Sequence, residues 1–145
     1  MIFMGDMLLV DVHAHLDIDG YELYGGVDKL LEECASNGVK AIVANGVTID
    51  SNRKTLEISS KHPLVKVAMG IYPTHCLEMM QEGKAEEFDK ELDFIEDMIK
   101  ARKCVAIGEV GLEYKEIPDI DDTKKDLQKD CLRRFEHPSP SIIVQ

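Results

Sequence analysis

The chain has 145 residues, of which 44% are hydrophobic and 31% charged, and its formal net charge is -11. That size and apolar content fit one ordinary domain with a sizeable core and exclude wholesale disorder. The acidic balance argues against a protein that grips nucleic acid through a broad basic face, and no apolar run approaches the roughly 20 residues of a membrane span.

In chain order, Met7 to Val10 reads as a short buried strand leading into Asp11-Val12-His13-Ala14-His15-Leu16-Asp17. Ile18 to Gly26 is turn-rich and reads as a loop. Val27, Leu30, Leu31 and Cys34 then recur at i, i+3, i+4 and i+7, the stripe of an amphipathic helix that Asn37-Gly38 ends. Val39 to Ala44 is a second buried strand, closed by Asn45-Gly46. Asp50 or Ser51 is placed to cap a helix running to about Lys61, which His62-Pro63 stops. Val65 to Ile71 is a third strand, followed by a turn, Tyr72 to His75. The longest helix spans Glu86 to Arg102, with Phe88, Leu92, Ile95 and Ile99 toward the core and acidic residues outside. Cys104 to Ile107 is a fourth strand, running into Gly108-Glu109-Val110-Gly111-Leu112. A polar loop with an acidic cluster follows. Lys124 to Phe135 is helical, with Leu127, Cys131 and Phe135 at spacing four. The segment 136–145 is atypical: His137-Pro-Ser-Pro-Ser breaks the helix, and Ile142 to Val144 is a very short strand candidate.

Strands and helices alternate, and the strands are apolar throughout, which means a parallel sheet covered by helices. Binding residues in such sheets gather at the C-terminal ends of the strands. His13 and His15, the Tyr72 to His75 turn and Glu109 all fall there. Alternation along a strand turns Asp11, His13, His15 and Asp17 to one face. Two imidazoles on one face can share a metal ion. The alternative is that each histidine is simply hydrogen-bonded in a polar strand end; the flanking same-face aspartates favour the shared ion. Glu109, between Gly108 and Gly111, is either a third ligand or a solvated loop carboxylate.

Four cysteines, Cys34, Cys76, Cys104 and Cys131, form no C-x-x-C pair and suggest no disulfide framework, Cys34 and Cys104 reading as core residues. Met1 to Val10 lacks the basic start of a signal peptide, and Gly5-Asp6 interrupts its apolar stretch. A soluble, reducing, cytoplasmic setting is expected, with no membrane partner.

D-V-H-A-H-L-D at 11–17, G-I-Y-P at 70–73 and A-I-G-E-V-G-L-E-Y at 106–114, in that order and spacing, resemble the TatD family of metal-dependent deoxyribonucleases. The resemblance is strongest over residues 7–135. It implies a (β/α)8 TIM barrel that hydrolyses phosphodiesters of DNA, single strands or ends, with one or two divalent cations (Mg, Mn or Zn). Bound cations supply the local positive charge that an acidic protein lacks. His13 and His15 would ligate a metal, and Glu109 would be both ligand and catalytic residue, bridging two metals or holding the activated water. Asp11 or Asp17 would orient a ligand imidazole.

Tyr72 stands where the family usually has His. His75 is either a substrate-phosphate contact or an ordinary loop histidine, and Glu113 stands where Asp is common. A complete barrel needs about 250 residues, so the expected fold is α/β, the N-terminal half of a TIM barrel with about four parallel βα units. The family's later ligands, two His and an Asp on strands five, six and eight, have no counterpart here. Gln145 falls near the first of them, and His137 falls at the wrong end of a barrel to replace one. A frameshift or a truncated gene would account for this. An open half-barrel is expected to self-associate or aggregate. The competing readings are another amidohydrolase-like enzyme cleaving amide or ester bonds, an inactive remnant or a module that a partner completes, and an open doubly wound binding domain. The last lacks a Gly-rich phosphate loop after strand one.

Overall fold

The computed structural model of the chain describes residues 8–135. Four strands run parallel in the order β1 (Leu9–Ala14), β2 (Val39–Asn45), β3 (Val65–Met69) and β4 (Ala106–Ile107). The helices between and after them are α1 (Val27–Ser36), α2 (Ile49–Lys61), α3 (Pro73–Gln81), α4 (Ala85–Lys100) and α5 (Asp122–Phe135). The sheet curls as half of an eight-stranded barrel. Its register sets Ile42 beside Val65, Ala44 beside Val67, and Met69 beside Ile107, so these apolar side chains fall in rows that the helices cover.

Two apolar clusters hold the layers together. One joins Val67, Met69, Ile71 and Ile107 to Phe88 and Ile95 of α4 and to Cys131 and Phe135 of α5. There Phe88 and Phe135 meet edge-on, their ring centroids 5.8 Å apart. The other joins Leu16, Ile42, Ala44 and Val65 to Leu31 of α1.

Several sequence-based expectations need correction. β1 is not buried: Val10 and Val12 are each 58% exposed, because β1 is an edge paired only with β2 among the described residues. The segment expected as a loop before α1 holds a 3-10 turn, Tyr21–Tyr24, between Gly20 and Gly25 in left-handed conformations. α2 is capped by Thr48, whose Oγ1 accepts the Ser51 N–H at 3.1 Å, rather than by Asp50 or Ser51. The expected turn at Tyr72 to His75 opens a helix instead. Pro73 occupies its first turn, where a missing N–H costs nothing, and Cys76, Leu77 and Met79 are buried. The four βα units therefore carry five helices. β3 and β4 are shorter than expected. β4 pairs only through Ala106 and Ile107, because the chain turns away at Gly108. Within α4, Glu91 is only 2% exposed and does not belong to the acidic outer face. The expected strand at Ile142 to Val144, together with His137 and Gln145, lies outside the described residues. No helix among the described residues is long and apolar enough to cross a membrane.

Phe88 is fully buried at the junction of α4, α5 and the sheet. Phe88→Ala is expected to destabilise the protein by about 3–5 kcal/mol, read from urea unfolding.

Candidate metal centre

Each chemically active side chain leaves the C-terminal end of a strand. His13 sits at the end of β1 and His15 just past it, and Glu109 follows β4 by two residues. Their functional atoms converge. His13 Nε2 lies 2.5 Å and His15 Nε2 3.1 Å from Glu109 Oε1, and the two imidazole nitrogens are 3.3 Å apart. The side chains are 49%, 31% and 23% exposed, so the cluster opens to solvent on the His13 side.

The donor chemistry suits a cation. His15 Nδ1 lies 3.1 Å from the Asn45 carbonyl, which can only accept, so in the neutral imidazole Nδ1 carries the proton and Nε2 turns a lone pair toward the carboxylate. Two acceptors facing each other at 3.1 Å repel unless a positive charge lies between them. Ligands bound at about 2.0–2.1 Å to one tetrahedral ion sit roughly 3.3 Å apart, which the His13–His15 and His15–Glu109 separations match and the 2.5 Å His13–Glu109 separation falls short of.

The backbone around Glu109 is tightly fitted. Its N–H donates to the Gly46 carbonyl at 3.3 Å. A Cβ on Gly70 would lie 2.6 Å from the Glu109 carbonyl oxygen, and a Cβ on Gly46 would lie 2.0 Å from Asn52 Oδ1. Glycine at position 70 lets the ends of β3 and β4 meet, and glycine at position 46 makes room for Asn52. His15 is also held from behind: the Tyr21 hydroxyl donates to its carbonyl at 2.5 Å. Burial raises the Tyr21 pKa, and the charges of Asp17 and Asp11 raise it further, which keeps that donor protonated.

The remaining expected site residues are distributed as follows. Asp11 accepts the backbone N–H of His13 at 2.9 Å and does not touch an imidazole. Asp17 has a buried Oδ1 with no hydrogen-bond partner and likewise contacts neither ring. The Asn45 carbonyl takes the orienting place expected of an aspartate, because β2 ends directly behind His15. Tyr72 and His75 join Ile18, Thr48 and Thr74 along an open groove of about 520 Å³ that ends on His15 and Glu109. Burial raises the Tyr72 pKa, with Glu116, Glu113 and Glu109 adding to the effect. His75 Nδ1 lies 3.4 Å from Glu78 Oε2. Glu113 turns away from the cluster. Its Oε1 accepts the N–H groups of Lys115 at 2.5 Å and Glu116 at 2.9 Å, while Gln128 clasps its backbone at 2.7 and 2.8 Å. Sequence reading missed Tyr21, Asn45 and Asn52, since nothing local marks a tyrosine, a strand-end carbonyl or a helix-borne asparagine as part of a site.

A family model described as TatD related DNase matches residues 10–137. The chain belongs to the TatD-related DNase family. Among curated relatives in this family, it is 28% identical over 126 residues to the uncharacterized metal-dependent hydrolase YabD of Bacillus subtilis, covering 87% of this chain and 44% of that protein. It is also 28% identical over 105 residues to the uncharacterized metal-dependent hydrolase TatD of Mycobacterium tuberculosis, covering 72% of this chain and 37% of that protein. A TatD family hydrolase from Entamoeba histolytica superposes with a TM-score of 0.72 at 24% identity, covering 94% of this chain and 48% of the other. YJJV, a TatD homolog from Escherichia coli K12, superposes with a TM-score of 0.61 at 21% identity, covering 87% and 44% respectively. These structures share the fold. The chain spans less than half the length of the TatD relatives it matches.

The Gly70 contact leaves no room for a methyl group against backbone. Gly70→Ala is expected to cost about 1–3 kcal/mol in urea unfolding and to shift the NMR resonances of Glu109, His13 and His15. The Glu113 pKa is lowered from its ordinary 4.5 by the N–H groups of Glu116 and Lys115. A folded-state pKa below the unfolded one gives stability that is full above the ordinary value and lost as pH falls through the folded value. Glu113→Gln is therefore expected to lower Tm at pH 7 and to melt together with the unsubstituted protein near pH 2.

Proposed function

We propose that His13, His15 and Glu109 hold one divalent cation, and that this chain supplies that part of the active site of a metal-dependent hydrolase acting on the phosphodiester bonds of DNA. The observation that carries the reading is the convergence of two imidazole nitrogens and one carboxylate oxygen, with the other nitrogen of His15 held by the Asn45 carbonyl. The family description and the relatives' names support the hydrolytic part.

Mixed nitrogen and oxygen donors fit zinc or manganese more closely than magnesium, which prefers oxygen and water. When bound, such a cation lowers the pKa of water and polarises a phosphoryl oxygen. The chain's own residues do the rest. His13 and His15 fix the cation from the β1 side, and Glu109 balances its charge from the β4 side. The groove containing Thr48, Tyr72, Thr74 and His75 leads a substrate to the cluster. Its hydroxyl and imidazole groups are hydrogen-bond donors suited to phosphate oxygens. Single-stranded DNA is the proposed substrate, and the open groove beside the cluster is where it would lie.

Calorimetric titration of the chain with Zn²⁺ and Mn²⁺ is expected to show one site, and Glu109→Ala to weaken it by about tenfold or more. Cleavage of a labelled single-stranded oligonucleotide is expected only with added metal, and to stop in EDTA and in the Glu109→Ala chain. Unchanged metal affinity in Glu109→Ala would overturn the site. Binding with no metal-dependent cleavage would overturn hydrolysis by this chain alone and leave it as the cation-holding part of the site.

A further inference from the structure

We propose that Asn52 is a positioning residue for the His13–His15–Glu109 cluster, clamping the ends of β2 and β3, on which two of the three donors rest. The proposal rests on the reading of that cluster as a cation site. Asn52 lies in the first turn of α2 and is fully buried. Its Nδ2 donates to the Gly70 carbonyl at 3.0 Å, and its Oδ1 accepts the Gly70 N–H at 3.3 Å. One carboxamide thus binds both backbone groups of the residue just past β3, as a neighbouring strand would. The same Oδ1 sits so close over Gly46 that a Cβ there would fall 2.0 Å away.

Gly46 and Gly70 are the two residues the Glu109 backbone rests on. Gly46 accepts the Glu109 N–H at 3.3 Å, and the Gly70 Cα faces the Gly108–Glu109 backbone. Gly46 also follows Asn45, whose carbonyl holds His15 Nδ1. Moving the Asn52 carboxamide would therefore move the support of Glu109 directly and that of His15 through one peptide.

The orientation of the carboxamide is fixed by charge. Glu91 reaches across from α4 with a side chain only 1% exposed, and its Oε1 accepts Asn52 Nδ2 at 2.8 Å. A carboxylate only accepts, so the amide nitrogen must face Glu91, and exchange of Oδ1 with Nδ2 is excluded. Arg53 neutralises Glu91 through two bonds of 2.9 and 2.6 Å, and its guanidinium lies 3.4 Å from the centre of the Phe94 ring. The α2 N-terminus has its own cap in Thr48 and Ser51, so Asn52 is not needed there.

The test compares Asn52→Ala and Asn52→Ser with Phe135→Ala, a core truncation on α5 away from the cluster. Co²⁺ serves as probe, with affinity and visible d–d absorption read below each variant's unfolding transition. Hydrogen exchange of the Glu109 amide is read without metal. Asn52→Ala is expected to weaken Co²⁺ binding by about tenfold, the low end of what loss of a ligand-supporting partner costs, to alter the d–d band, and to speed exchange at Glu109. Phe135→Ala is expected to change none of these. If Asn52→Ala does not fold, the same comparison on Asn52→Ser decides. Unaltered affinity and band in a folded Asn52 variant, or an equal change in Phe135→Ala, overturns the positioning role while leaving the cation site standing. A Co²⁺ affinity that Glu109→Ala leaves unchanged overturns both.

Discussion

Glu109 reaches the two histidines because three backbones meet with no side chain between them. β2, β3 and β4 end at Gly46, Gly70 and Gly108, and the first two of these have no space for a methyl group. In a parallel sheet every strand ends on the same side, so residues remote in sequence are delivered to one rim. The rim becomes a cluster only when neighbouring ends approach closely enough for a short carboxylate side chain to bridge them. The site is thus a consequence of packing at strand ends, and the same packing that seats Glu109 also buries the Asn52 amide.

That buried amide needs partners, and the surrounding polar groups supply them. A carboxylate as deeply buried as that of Glu91 is tolerated only when paired and hydrogen-bonded. Arg53 and Asn52 donate three hydrogen bonds to it, and Arg53 in turn rests on Phe94 while its charge reaches solvent. The result is a polar bridge from α4 through α2 to the strand ends, within an otherwise apolar layer. It ties the helical shell to the rim at the place where the donors emerge. The acidic net charge fits this arrangement: the cluster presents acceptors, and positive charge is what it lacks.

Much of the fold was legible because its signals are local. Apolar runs bounded by Asn-Gly, His-Pro and Gly-Glu mark the strands, and the 3.6-residue stripes of α1, α4 and α5 mark helices. α3 was misread because Tyr-Pro-Thr-His carries turn residues. Pro at a first helical position looks the same in sequence as Pro in a turn, and burial of Cys76, Leu77 and Met79 decided between them. β1 was misread as buried because an apolar sequence does not reveal that a strand lies at a sheet edge. The partners of Glu113, the backbone N–H groups of its own loop and the side chain of Gln128, were not legible, because they depend on how that loop folds.

By itself, the sequence determined the alternation of strands and helices, and with it which residues stand at C-terminal strand ends. His13, His15 and Glu109 belong to that set because their positions follow from strand phase and parallel order. Only the tertiary structure decided which acceptor orients His15, what supports Glu109, and that an acidic residue of α4 turns inward. Those are relations between side chains and backbone groups from different elements. They depend on separations of a few tenths of an ångström at glycine contacts, which no local pattern along the chain encodes.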